Sequence, residues 1–398
     1  MHPRNSYALH ASLLAFGYGL TAPTYVPFLL KAGLSLAEVP LINVFFFAAI
    51  TLMELPTGMW ADGRSRLLSI RLGTICGALS LFGYSTATGF WSAVCWEALG
   101  GLANAFLSGA NAAWLTDALA KRGEQESLRR AFATTSGLSM SATLVAGFIG
   151  AFIGAHSFVL VWILAGICHL AAWAVTLTLM KDEGEPEVRM TEKQAFAASY
   201  RALRVTPSLR WVVAVCVAYG LALPFNYYWS PFFERQVGIT GLSWIWALNF
   251  GVCALAGFAV RGWKSKWASD GVIIPVCLGL TGLGLAGAGG TAVLFGQLTF
   301  TVMHEFGRGA INPLTDAYAQ ARVASQYRAT FGSLMSLLAR GGYAVVLVAV
   351  WAIGRLIGDN RDVITVTWLA SGLALAGLAA ILWFLRPRHE KRPTDATL

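Results

Sequence analysis

Ionised side chains are scarce in this 398-residue chain, and those that fall inside long apolar runs are where chemistry could be done. Charge buried in hydrocarbon is costly, so such residues mark paths for ions or solutes. Glu305, Arg308, Asn312 and Asp316 follow i, i+3, i+7, i+11 spacing and so share one side of a helix. At 1.5 Å per residue Glu305 lies about 16 Å from Asp316, near the middle of a span. In the next run Arg340 lies about 18 Å deep, with Ser336 and Tyr343 on its face. One carboxylate and two guanidiniums at similar depth suit an acid that takes up a proton or orders a solute. Arg308 and Arg340 would position that acid or hold an anionic group. A permanent ion pair is the competing reading. His304 is either a relay to Glu305 or a packed histidine.

Two further acids are proton-coupling candidates. Glu97, Gly101, Asn104, Ser108 and Asn111 line one face of a helix whose other face carries Asp117. Glu97 could instead snorkel outward. Glu54 lies two turns before Asp62. Tyr18, Thr21 and Tyr25 share one helical face, and Tyr219, Asn226 and Ser230 share another. Aromatic and amide groups there suit amphipathic solutes, although tyrosines also anchor spans at interfaces. Together with Asn104, Asn111, Arg308, Asn312 and Arg340 they form the candidate substrate cavity.

The elements that must position these groups are membrane spans. The chain is 56% hydrophobic and 12% charged, whereas soluble domains are about 25% charged. Twelve runs are long enough to cross a bilayer: 7–31, 37–60, 68–88, 91–119, 131–154, 157–180, 209–233, 240–261, 271–289, 291–320, 328–355 and 363–385. The expected class is therefore an all-α membrane protein of twelve transmembrane helices. The net charge of +9 resembles a nucleic-acid signal, but 23 of 29 lysines and arginines fall in alternate loops on one side. That skew places both termini in the cytoplasm and points to a lipid-bilayer partner rather than nucleic acid. All six cysteines sit singly in apolar runs and read as small hydrophobes, with no metal site or disulfide. The N-terminus lacks a cleavable leader pattern, so the first span is expected to be retained.

The chain also repeats itself. Tyr18-Gly-Leu-Thr-Ala-Pro23 recurs as Tyr219-Gly-Leu-Ala-Leu-Pro224, and Leu115-Thr-Asp-Ala-Leu-Ala120 recurs as Leu314-Thr-Asp-Ala-Tyr-Ala319. Gly58 answers Gly257, Asn43 answers Asn249, and Arg130-Ala131 answers Arg328-Ala329. Five matches in order imply two parallel six-helix repeats related by an axis along the membrane normal. The expected division is 1–180, a cytoplasmic linker 181–208, and 209–398.

Glu54-Leu-Pro-Thr-Gly-Met-Trp-Ala-Asp62-Gly-Arg64-Ser-Arg66 resembles the signature loop of the major facilitator superfamily. Ser108-Gly-Ala-Asn-Ala-Ala-Trp-Leu-Thr-Asp117 is similar to the matching segment of its bacterial efflux-type members. Gly63 stands where the loop usually has a basic residue, Ser65 where it has glycine, and Glu97 where drug exporters often carry arginine. The resemblance implies a cytoplasmic latch of Gly58, Asp62, Arg64, Arg66, Asp117 and Arg130. It also implies a monomeric inner-membrane secondary transporter that uses alternating access, proton-coupled and exporting a small hydrophobic or amphipathic molecule. Uptake or exchange of an organic anion held by Arg308 and Arg340 is the alternative. A membrane sensor and a membrane-embedded enzyme rank lower, because the chain lacks His-Glu-x-x-His and Gly-x-Ser-x-Gly. It also lacks a phosphate loop, so no nucleotide or other cofactor is expected.

Overall fold

A computed structural model describes residues 1–63, 65–108, 110–181, 192–261, 270–323, 328–358 and 361–387. These residues are helical, with two short 3-10 turns and no strand. The helices are α1 (Pro3–Thr21), α2 (Tyr25–Lys31), α3 (Glu38–Gly63), α4 (Arg66–Tyr84), α5 (Phe90–Leu107), α6 (Ala110–Ala120), α7 (Leu128–Gly154) and α8 (Phe158–Thr178). Then come α9 (Glu192–Val205), α10 (Pro207–Ala218), α11 (Leu223–Arg261), α12 (Asp270–Gly290), α13 (Leu294–Gln320), α14 (Arg328–Ile357) and α15 (Arg361–Phe384).

Every expected span is occupied by helix, but several are broken. A 48° bend separates α1 from α2 around Pro23, which cannot donate a helical N–H. Ser108 adopts extended backbone (φ −60°, ψ 132°) and parts α5 from α6. The 3-10 turn Tyr219–Ala222 separates α10 from α11, and α11 itself is interrupted at Gly238 (φ 68°, ψ 172°), between two expected spans. A positive φ suits glycine, which has no Cβ to clash. Among the described residues seven stretches are long and apolar enough to span alone, or eight if the bent α1–α2 pair counts as one. One of the seven, Pro207–Ala259, covers two expected spans. Of the rest, α13 is diluted by its own polar and charged residues, and α5–α6 is divided by its break. The linker, expected as a polar connection, contains helix α9.

The chain forms two compact units, Met1–Glu187 with Ser230–Ala247, and Val188–Trp229 with Leu248–Leu398. In the first, α1 packs on α7 and α8, α3 on α5, and α4 on α5 and α8. In the second, α12 packs on α13 and α15. Lipid gives helices no hydrophobic reason to associate, so close backbone approach at small residues holds them. Gly101 lies against Phe46 of α3, and Gly282 of α12 against Gly372 and Ala376 of α15. Gly307 and Gly309 are packing positions. They receive Thr281 of α12 and Cys253 of α11, and α13 runs unbroken through Pro313.

A Cβ on Gly19 would stand 2.8 Å from the Thr143 carbonyl and 2.9 Å from the Ala146 methyl. Gly19→Leu is therefore expected to lower stability by about 1–3 kcal/mol or more. Gly137→Leu, with nothing within 4 Å of the added Cβ, should leave the thermal unfolding midpoint in detergent nearly unchanged.

Candidate functional site

The second unit concentrates its polarity on α13. Glu305 is fully buried and turns toward α11 rather than outward. Its Oε2 accepts from Arg308 Nε at 2.9 Å and lies 2.7 Å from Arg308 Nη2. Arg308 reaches back one turn to make this pair, as i, i+3 spacing allows. Its remaining arm, Nη1, donates to Asn226 Oδ1 at 2.8 Å. The Cys253 thiol also donates to Glu305 Oε2, at 2.8 Å. Cys253 is thus part of the site, although in sequence it reads as a small apolar residue; only its place opposite Glu305 on α11 reveals it. Glu305 Oε1 has no hydrogen-bond partner among the described residues.

Other candidates in this unit fall around that pair. Asn312 and Asp316 continue the same side of α13 and are exposed. Arg340 is half-buried on α14, within electrostatic reach of Tyr343, which is near Tyr219 in the same way. His304 is packed. Its Nδ1 bonds the Thr281 carbonyl at 2.9 Å and its ring lies 4.4 Å from that of Phe225. Because a carbonyl only accepts, Nδ1 carries the proton. Ser230 groups with the first unit and is buried, so the expected Tyr219, Asn226 and Ser230 face is divided.

The first unit carries a different acid site. Glu97 Oε2 accepts from Tyr25 Oη at 3.3 Å and from Tyr84 Oη. Asn43 Nδ2 donates to Tyr25 Oη at 3.1 Å, which leaves the tyrosine hydrogen for Glu97. Trp162 stacks on Tyr84 at 4.5 Å and 14°. Glu97, half-buried, is therefore held by two phenols. Asn43 entered the sequence reading only as a repeat match. Tyr84 and Trp162 carry no motif that would have singled them out.

The α1–α2 break redistributes the other candidates. Thr21 is buried and returns its hydroxyl to Tyr18 O at 2.9 Å. Tyr18 is exposed and meets His169 edge-on at 4.7 Å, while Tyr25 turns to Glu97. The three do not continue one face. His169 is fully buried. Glu54, Asn104 and Asn111 are half-buried, on α3, α5 and α6.

For the latch, Arg66 forms an ion pair with Asp117 and also donates to Ala113 O at 3.2 Å, joining α4 to α6. Ser65 caps α4 by accepting from Leu68 N at 3.2 Å. Arg130 is exposed and Gly58 has open space beside it. Arg64 and the Asp62 side chain lie outside the described residues.

The profile of the Major Facilitator Superfamily matches residues 8–347. No curated protein sequence matches the chain. Among solved structures, the nucleoside transporter NupG superposes with a TM-score of 0.77 at 14% identity, over 96% of this chain and 98% of that one. A bacterial homolog of the human lysosomal transporter Spinster gives 0.73 at 15%, over 96% and 95%. The POT family transporter PepTSo gives 0.76 at 11%, over 96% and 97%. At such identities the likeness speaks for fold, and the profile match carries the family. The chain belongs to the major facilitator superfamily and is a multi-pass membrane transporter rather than an enzyme.

Proposed function

We propose that this transporter is proton-coupled and exports a small hydrophobic or amphipathic molecule, as an efflux-type member in the inner membrane with both termini cytoplasmic. It works as a monomer by alternating access between the halves 1–180 and 209–398, joined by the 181–208 linker. The observation that carries proton coupling is the environment of Glu97. Its carboxylate is held by two phenols, and among the described residues no cation pairs with it. A carboxylate in an apolar bundle without a counter-charge is neutralised most simply by a proton. Glu305 is already neutralised by Arg308, so Glu97 takes the principal coupling role and Glu305 a secondary one. Glu54 and His304 have no comparable support. The aromatic groups beside Glu97 suit an amphipathic solute.

The second reading is uptake or exchange of an organic anion. It is favoured by Arg308, whose Nη1 engages Asn226, an exposed residue that an anionic group could replace. In proteoliposomes loaded with a pH-sensitive dye, an exported solute should drive a pH change in the parent protein. In Glu97→Gln that change should fall to the rate of empty vesicles while solute binding persists. If Arg308→Gln alone abolishes solute binding and proton coupling survives, the anion reading holds.

The pair also sets a stability test. Removing one partner of a buried ion pair costs about 3–5 kcal/mol because the other is left uncompensated. Arg308→Gln should therefore destabilise more than Glu305→Gln/Arg308→Gln, a difference read as unfolding midpoints in detergent.

A further inference from the structure

Three buried oxygens in the second unit have no hydrogen-bond partner among the described residues: Glu305 Oε1, Asn249 Oδ1 and Thr301 Oγ1. Their residues are 0%, 5% and 0% exposed. Such atoms are ordinarily satisfied, and three on the facing sides of two packed helices call for an occupant. That they lie within about one turn of one another follows from helix register. Cys253 Sγ of α11 meets the Glu305 carboxylate at 2.8 Å and its carbonyl at 3.3 Å. Gly309 sits against the Cys253 backbone, and Gly257 faces the Gly309 carbonyl. The two helices therefore face each other in parallel register at 253/305 and 257/309. Asn249 precedes Cys253 by one turn and Thr301 precedes Glu305 by one turn, about 5.4 Å along each axis, on the sides that carry these contacts.

We propose that these oxygens form a sodium-ion site, whose remaining positions are filled by water. The donor set is a carboxylate oxygen, an amide oxygen and a hydroxyl, all hard oxygens suited to such a cation. No group of three or more His, Cys, Asp or Glu among the described residues could hold a transition metal. A divalent ion would demand more carboxylate charge than one acid already shared with a guanidinium. A proton would need Oε1 alone and would leave Asn249 and Thr301 without a purpose.

The proposal rests on the second reading, uptake of an organic anion, and it supplies a device by which a cation and that anion are bound together. Arg308 grips only Oε2, through Nε and Nη2. Sodium on Oε1 places a second positive charge beside the guanidinium and weakens that grip. Arg308 then keeps its bond to Asn226, and the nitrogens released from Oε2 can receive an anionic group of the solute. Ion and solute binding thus become mutually favourable.

The test is thermal unfolding of the purified full chain at fixed pH and ionic strength in sodium, potassium or choline chloride. A ligand that binds only the folded state raises the midpoint, so sodium should raise it and choline should not. Thr301→Ser, which keeps the oxygen, should retain the shift. Asn249→Ala and Thr301→Val should each lose it while keeping their choline midpoint. Should one of these fail to fold, the other still decides. Equal midpoints of the parent protein in all three salts mean that water fills the site, and the proposal is overturned. A larger rise in potassium, or a sodium shift that survives both variants, overturns it too. Proteoliposomes separate the two readings: transport driven by a pH gradient but indifferent to sodium removes the sodium site alone, whereas solute flux that neither gradient drives removes ion coupling itself.

Discussion

A carboxylate inside an apolar helical bundle cannot be left without a partner, and the second unit is organised around one that has three donors on a single oxygen. Glu305 is fully buried, and the guanidinium that balances it comes from the next turn of the same helix. Because the pair is intrahelical, α13 carries it without a cation from a neighbouring helix. Arg308 is consequently free to extend its third arm to Asn226. The only outside contribution to the carboxylate among the described hydrogen bonds is the Cys253 thiol, a weak donor. The pair is thus firmly made within α13 and lightly tied to α11.

The first unit solves the same problem differently. Glu97 has phenolic hydroxyls where Glu305 has a guanidinium, and an aromatic stack of Tyr84 and Trp162 closes the space behind it. Neutral donors satisfy hydrogen bonds but leave the charge. The two acids therefore answer differently to the same surroundings, one balanced permanently and one open to neutralisation by a proton. The segments around Asp117 and Asp316 repeat in sequence, yet Glu97 lies 20 residues before the first and Glu305 11 before the second, so the two acids stand at different places along matching segments.

What brings these groups together is close packing at glycine. Gly309 allows α13 to approach Cys253, and Gly307 allows it to approach Thr281. In water such residues in mid-helix would be a weakness. Within lipid they let backbones meet, which is the main attraction available. That is why these glycines hold α13 in place.

Composition and hydrophobic run length by themselves determined the helical class and the location of the spans, because lipid admits few ways to satisfy a backbone. The loop motif carried the family for a similar reason, since Arg66 and Asp117 sit in local sequence contexts that can be read directly. The pairing of Glu305 with Arg308 was also legible, because i, i+3 spacing is a local property of a helix. Only the tertiary structure decided that Cys253 donates to Glu305, that Tyr25 and Tyr84 hold Glu97, and that His304 faces Thr281. It also decided that Thr21 turns inward while Tyr25 turns to Glu97, since the break at Pro23 resets the phase of the helix. Each of these depends on which face one helix shows another, and the sequence sets a period within a helix but no rotation between helices.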